Sequence, residues 1–209
     1  MEISYIKKKA LDEYIPIVMD DSLEVIKKIL IEKNPKTILE IGTATGYSSI
    51  CFTKIIEEHY GKEYMKDFLI DTIELDEKRA EEAIVNIKNM NLEKNINVMI
   101  GNAVDILPEL NNKYDIIFID AAKGKYPIFL KEAIRLSNIN SVIIADNILY
   151  KGYVMSDYNK HKQRTAVTHL REYIKLATEN ENLETKILEV GDGLAISRVI
   201  NWLYFKKRV

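Results

Sequence analysis

Two acids, an amide and a lysine carry the densest chemistry in this chain. Asp120 and Lys123 lie in Phe118-Ile119-Asp120-Ala121-Ala122-Lys123-Gly124-Lys125-Tyr126, and Asp146-Asn147 follows Ile143-Ile144-Ala145. Each set comes directly after a short Ile-rich run of the kind that forms a buried strand. Parallel strands ending side by side would bring Asp120, Asp146 and Asn147 to one edge. Two carboxylates and an amide oxygen are hard donors suited to Mg²⁺ or another divalent cation, with water or a substrate oxygen completing the shell. Without a cation the two carboxylates repel, and one tends to keep its proton. With a cation, a hydroxyl placed beside them would ionise more readily. Lys123, three residues after Asp120, could take the proton, and Lys125 is the rival for that role. The plainer alternative is a surface ion pair between Asp120 and Lys123.

A second constellation lies nearer the N-terminus. Ile38-Leu39-Glu40-Ile41-Gly42-Thr43-Ala44-Thr45-Gly46-Tyr47-Ser48 reads as a strand, a glycine turn and a helix start. Glycine suits a backbone that must turn with positive φ or approach a ligand closely, and strand ends of this type are where open α/β sheets bind ligands. The G-x-x-x-G spacing differs from the G-x-G-x-x-G of dinucleotide binders and favours a cofactor without a pyrophosphate. Glu74, in Thr72-Ile73-Glu74-Leu75-Asp76, would end a second strand, where a carboxylate can accept hydrogen bonds from ribose hydroxyls. Asn102-Ala103 would follow a third strand, a natural place for an adenine edge. Each feature alone has a bland reading as a turn residue or a solvated acid; their order after three successive strands is what carries weight.

The elements that must position these residues are legible as alternation. Apolar runs at 37–41, 68–74, 96–100, 114–119 and 141–145 read as strands buried on both faces of a parallel sheet. Charged, helix-period segments at 47–59, 77–90, 127–136 and 163–178 lie between or after them, which implies an α/β sheet with helices on both faces. Runs at 184–190 and 194–200 flank Gly191-Asp192-Gly193 and predict an antiparallel hairpin at the end of the sheet. Residues 1–30 are expected to form one or two helices over the site. A single domain follows, with a helical cap at 1–34 and a core at 35–200.

Composition narrows the class. The chain has 209 residues, 47% apolar and 30% charged, with a formal net charge of −2, the balance of a globular protein and not of one that coats nucleic acid through bulk charge. No apolar run reaches the ~20 residues that span a bilayer. The N-terminus lacks the basic-then-apolar order of a signal peptide, so the cytoplasm is the expected compartment. Cys51 is the only cysteine, which rules out an internal disulfide, and its apolar surroundings read as core. His59, His161 and His169 have no metal-ligand spacing.

Taken together, Glu40 to Ser48, Asp120-Ala121-Ala122-Lys123 and Asp146-Asn147 resemble the cation-dependent O-methyltransferases, the group that includes the catechol and caffeoyl-CoA enzymes. The resemblance runs from about Pro16 to Arg198. It implies a Rossmann-like class I methyltransferase fold, a seven-stranded, mostly parallel sheet with the C-terminal antiparallel hairpin. It also implies S-adenosylmethionine as methyl donor and Mg²⁺ or another divalent cation as second cofactor. By the same resemblance Val18, Gly42, Ser48, Glu74, Ala103 and Asp120 would line the cofactor site, with Glu40, Gly46 and Asn102 from the same motifs beside them. Asp120, Asp146 and Asn147 would bind the metal and Lys123 would be the base. Asn102 stands where an aspartate is more usual.

Within that group the chain looks most like the bacterial tRNA 5-hydroxyuridine methyltransferases, through residues 118–126, 146–152, 160–171 and 190–197. That likeness implies methylation of 5-hydroxyuridine at the tRNA wobble position, and a homodimer. The basic concentration Tyr150-Lys151, Lys160, Lys162 and Arg164, with Arg171 later, would border the acid pair and could contact RNA. A small catechol-type acceptor is the alternative, because a ring diol and a 5-hydroxyuracil both present adjacent oxygens. A non-catalytic module that binds the same cofactor is a third reading, disfavoured by the acids and Lys123.

Overall fold

The computed structural model of the chain describes residues 2–157 and 163–200. Its chain contacts divide it into two compact units, Met1–Glu109 and Leu110–Val209. The first contains α1 (Ile3–Asp12), α2 (Asp20–Lys33), β1 (Thr37–Ile41), α3 (Tyr47–Tyr60), β2 (Leu69–Glu74), α4 (Glu77–Asn89), β3 (Ile96–Ile100) and α5 (Ala103–Ile106). β1 pairs in parallel with β2, and β2 with β3, so Ile41 lies opposite Ile73 and Glu74 opposite Ile100. Ile38, Leu39 and Ile41 are fully buried, as unbroken apolar strands of parallel sheets require.

Local chemistry sets the helix ends. Asp76 caps α4 by accepting a hydrogen bond from the Arg79 amide at 3.0 Å. Asn34 ends α2 in the left-handed region, at φ 52°, which an asparagine tolerates better than most residues. Of the one or two helices expected from residues 1–30, two are present, and both pack on α3. Lys7 pairs with Asp20 at 2.5 Å and Lys9 with Glu82 at 2.7 Å, tying α1 to α2 and to α4.

Residues 57–67 are held by contacts beyond the segment itself. α3 runs to Tyr60, residues Tyr64–Lys66 form a 3-10 turn, and the Tyr60 and Tyr64 rings stack at 4.6 Å. The Tyr64 hydroxyl donates to the carbonyls of Asn34 and Pro35, both at 2.9 Å, so the segment is pinned to the entry of β1. Cys51 is buried with its thiol pushed up to about 12 by desolvation, in keeping with a core residue.

The second unit contains β4 (Tyr114–Ile119), a 3-10 turn at Lys123–Lys125, α6 (Tyr126–Arg135), β5 (Ser137–Ala145), α7 (Arg164–Thr178), β6 (Leu183–Leu188) and β7 (Leu194–Val199). β4 and β5 are parallel, whereas β7 runs antiparallel to both β5 and β6. The expected hairpin is therefore β6–β7, with β7 inserted between β5 and β6. The strand order of the seven-stranded sheet is β3-β2-β1-β4-β5-β7-β6. β5 begins earlier than its apolar run: residues 137–140 pair through a bulge opposite Tyr114 and Ile116, where Ser141 donates to the Tyr114 carbonyl at 2.7 Å. Among the described residues no helix is long and apolar enough to cross a membrane.

Candidate functional site

In the first unit the glycine turn is built to hold backbone amides in place. Gly42 has φ 106° and Gly46 φ 79°, and the Gly42 and Thr43 amides donate to the Ile73 carbonyl at 3.0 and 3.2 Å. A β-carbon on Gly46 would sit 3.3 Å from that of Ala83, so the turn and α4 approach as closely as glycine permits. Asn86 of α4 donates to the Thr45 carbonyl at 2.9 Å.

Glu74 ends β2 as expected, with its carboxylate accepting from the Ala44 amide at 2.7 Å and the Asp76 amide at 2.9 Å. Those two bonds fix its orientation and leave lone pairs on both oxygens for ribose-type hydroxyls. Gly101 donates to the Glu74 carbonyl at 2.8 Å and leads into Asn102 and Ala103. Asn102 is exposed and uses its side-chain oxygen to cap α5 through the Val104 amide at 3.1 Å; Ala103 and Val18 are buried.

Glu40 lies beneath the glycine turn. It is 0% exposed and accepts hydrogen bonds from Ser48 at 2.5 Å, Thr72 at 2.6 Å and Ser49. Three hydroxyl donors make a buried carboxylate tolerable. Its work is to hold the first turn of α3, Ser48 included, against β2. Thr72, Ser49 and Asn86 belong to this support and were invisible in the sequence, because serine, threonine and asparagine at those places have no local signature.

In the second unit the acids meet as the parallel strand ends demand. The Asp146 amide donates to the Ile119 carbonyl at 2.9 Å, so the residues just after β4 and β5 lie side by side. Asp146 is 1% exposed; its Oδ1 accepts from the Asn147 amide at 2.7 Å, and its Oδ2 is buried with no hydrogen-bond partner. Burial first, and then the neighbouring Asp120 charge, push the Asp146 carboxyl up to about 7. Burial also raises the Asp120 carboxyl, with Lys123 opposing the shift. An orphaned carboxylate oxygen beside a second acid and an amide fits a hard divalent cation. Among the described residues no group of three or more His, Cys, Asp or Glu converges.

Lys123 Nζ lies 3.8 Å from Asp120 Oδ1, 5.8 Å from the Tyr126 ring centre and 5.9 Å from that of Tyr150. It is the lysine of the 123–125 turn that the structure places beside the acids. The 3-10 turn itself packs on α7.

The loop after Asn147 is strapped to the β6–β7 turn. Ile148 donates to the Gly193 carbonyl at 3.0 Å, and Leu149 and Tyr150 to that of Asp192 at 2.8 and 3.3 Å. Asn147, Tyr150 and Lys151 all have φ between 41° and 57°, left-handed values that this strapping must sustain. Tyr150 and Tyr153 meet edge to face at 5.9 Å, and Lys151 and Arg164 are exposed.

Arg171, counted above among the basic residues, is committed elsewhere. It donates to the carbonyls of Val154 at 3.0 Å, Tyr153 at 3.3 Å and Ser156, bracing that loop from α7. Lys160 and Lys162 lie outside the described residues.

These features, a parallel α/β sheet closed by an antiparallel pair, a glycine turn followed by a held acid, and an acid pair with a lysine, define a class I methyltransferase. The O-methyltransferase family model matches residues 2–200, and the chain belongs to that family. A catechol O-methyltransferase of Niastella koreensis is 33% identical over 173 residues, covering 78% of this chain and 73% of its own. A Staphylococcus aureus structure provisionally named a caffeoyl-CoA O-methyltransferase is 32% identical with a TM-score of 0.85, covering 95% of this chain and 92% of its own. A Bacillus cereus O-methyltransferase in complex with SAH superposes with a TM-score of 0.81 at 26% identity, over 94% of this chain and 90% of that one. This is an S-adenosylmethionine-dependent O-methyltransferase.

Proposed function

We propose that this enzyme depends on a divalent cation and methylates one of two adjacent oxygens on a planar ring. The observation that carries the reading is Asp146 Oδ2, a buried carboxylate oxygen without a partner, next to Asp120 and followed by Asn147. Asp120, Asp146 and Asn147 would hold the cation, whose charge would stabilise the acceptor oxyanion. Lys123, beside Asp120, takes the acceptor proton. The Gly42–Gly46 turn and Glu74 hold the methyl donor, with Glu40 keeping the turn in register. Methyl transfer from a sulfonium needs no covalent enzyme intermediate; the chain contributes alignment, proton removal and exclusion of water.

A small catechol-type acceptor is supported by the names of the relatives. A second reading, 5-hydroxyuridine in tRNA, draws its support from Tyr150 and Tyr153 with exposed Lys151 and Arg164 on the same side of the sequence as Asn147. Aromatic rings can stack on a base while cations meet phosphate. The test is a methyl-transfer assay with Mg²⁺ and either catechol or tRNA bearing 5-hydroxyuridine, with mass spectrometry of the products. Methylated catechol with unmodified tRNA is the expected result. A 5-methoxyuridine product would assign the RNA acceptor, and transfer to neither would overturn the adjacent-oxygen reading.

A further inference from the structure

The hydroxyl of Tyr126 sits where both acid-bearing strand ends converge. Tyr126 opens α6 and is fully buried, and its hydroxyl donates to the Asp146 carbonyl at 2.7 Å, with the Ile119 carbonyl at 3.4 Å. Ile119 immediately precedes Asp120. The Asp146 carbonyl and the Asn147 amide are the two ends of one peptide plane. The carbonyl end of that plane is held by Tyr126, and its N–H end grips Asp146 Oδ1 at 2.7 Å. Asn147 then leaves the plane in a left-handed conformation, φ 57°, which asparagine adopts more readily than most residues.

We infer that Tyr126 is a positioning residue for the acid pair: its hydroxyl fixes the peptide that joins Asp146 to Asn147 and so aims the Asp146 carboxylate. This rests on the proposed cation role of that pair. A phenylalanine at 126 would fill the same space and keep the ring contact with Tyr173 at 5.6 Å. It would, however, leave the Asp146 carbonyl without its donor and free the peptide to rotate. Partners of this kind, one step removed from the metal, govern affinity more than fold.

Tyr173 supplies the control. It is as buried as Tyr126, and its hydroxyl lies toward Ser197 of β7 without a hydrogen bond of ordinary geometry. Y173F therefore deletes an equally buried hydroxyl that touches neither strand end.

The test is calorimetric titration of the full chain with Mn²⁺, and separately with S-adenosylhomocysteine, for wild type, Y126F and Y173F. Y126F is expected to bind Mn²⁺ about 10-fold more weakly or worse. Its S-adenosylhomocysteine affinity should be unchanged, which also reports that it is folded, and its turnover should recover at high Mg²⁺. Y173F should match wild type in both titrations. Wild-type Mn²⁺ affinity in Y126F, or an equal loss in Y173F, would overturn the inference while leaving the cation reading intact. Absence of Mn²⁺ binding by the wild type would remove that reading, and the inference with it.

Discussion

At the scale of single residues, Asp146 is the group most at odds with its surroundings when no cation is present. Its folded-state pKa of about 7 lies above the roughly 3.9 of an unfolded aspartate. The native chain therefore binds more protons than the unfolded chain between those values. The stability it contributes is complete below about pH 4 and is lost as pH rises through 7. Asp146→Asn removes that penalty and keeps an oxygen for the Asn147 amide. Metal-free D146N is expected to melt about 5 °C or more above wild type at pH 8 and close to it at pH 4. Mg²⁺ should raise the melting temperature of wild type only; melts in chelator and in Mg²⁺ at both pH values check this.

Lys123 carries a separate expectation. Lys123→Ala should lower turnover at neutral pH by about 10²-fold or more, with partial recovery as pH rises and hydroxide replaces the base. A pH–rate profile with the wild-type rate at neutral pH would return the residue to an ion pair with Asp120. Asp120, Lys123, Asp146, Asn147 and Glu74 were readable in the sequence because residue type and strand-end position carry their chemistry. The hydroxyl donors on Glu40, the commitment of Arg171 to loop carbonyls and the reach of Tyr126 were not, since each depends on a partner between 8 and 32 residues away.

Among the elements, the β6–β7 turn has a role that its hairpin signal did not disclose. Gly193, at φ 90°, is so close to the loop after Asn147 that an added β-carbon would lie 2.4 Å from Leu149 Cγ. Gly193→Ala must displace Leu149 and, with it, the strap holding Ile148 to Tyr150. A loss of about 1–3 kcal/mol is expected, with weaker Mg²⁺ response. Gly61→Ala is the comparison, because φ is also positive there, at 81°, but nothing lies within 4 Å. With ψ at 172° that conformation is essentially reserved for glycine, so the substitution should also cost about 1–3 kcal/mol but leave the Mg²⁺ response alone. Denaturant unfolding and Mg²⁺ titration of the two variants separate backbone conformation from displacement of the loop.

Most strands and helices were legible from period and length. The first residues of β5 were not, because residues 137–140 lie outside the apolar run at 141–145 and join the strand through the bulge opposite Tyr114. The turn at 64–66 was not legible for a related reason: Tyr60 and Tyr64 hold it by reaching carbonyls of residues 31–35, which no local pattern encodes.

For the whole molecule, composition excluded a bulk nucleic-acid coat, and the alternation of strands and helices gave the fold class. The insertion of β7 between β5 and β6 is a pairing that no local pattern encodes. The family sets the reaction as methyl transfer from S-adenosylmethionine to oxygen. In the proposed function the acid pair makes that reaction depend on a divalent cation. The most direct measurement is methyl transfer to catechol by enzyme stripped with chelator and then titrated with Mg²⁺, with S-adenosylhomocysteine binding followed in parallel. No transfer in chelator, full recovery with Mg²⁺ and cofactor binding that persists throughout are expected; a full rate in chelator would show that the reaction needs no cation.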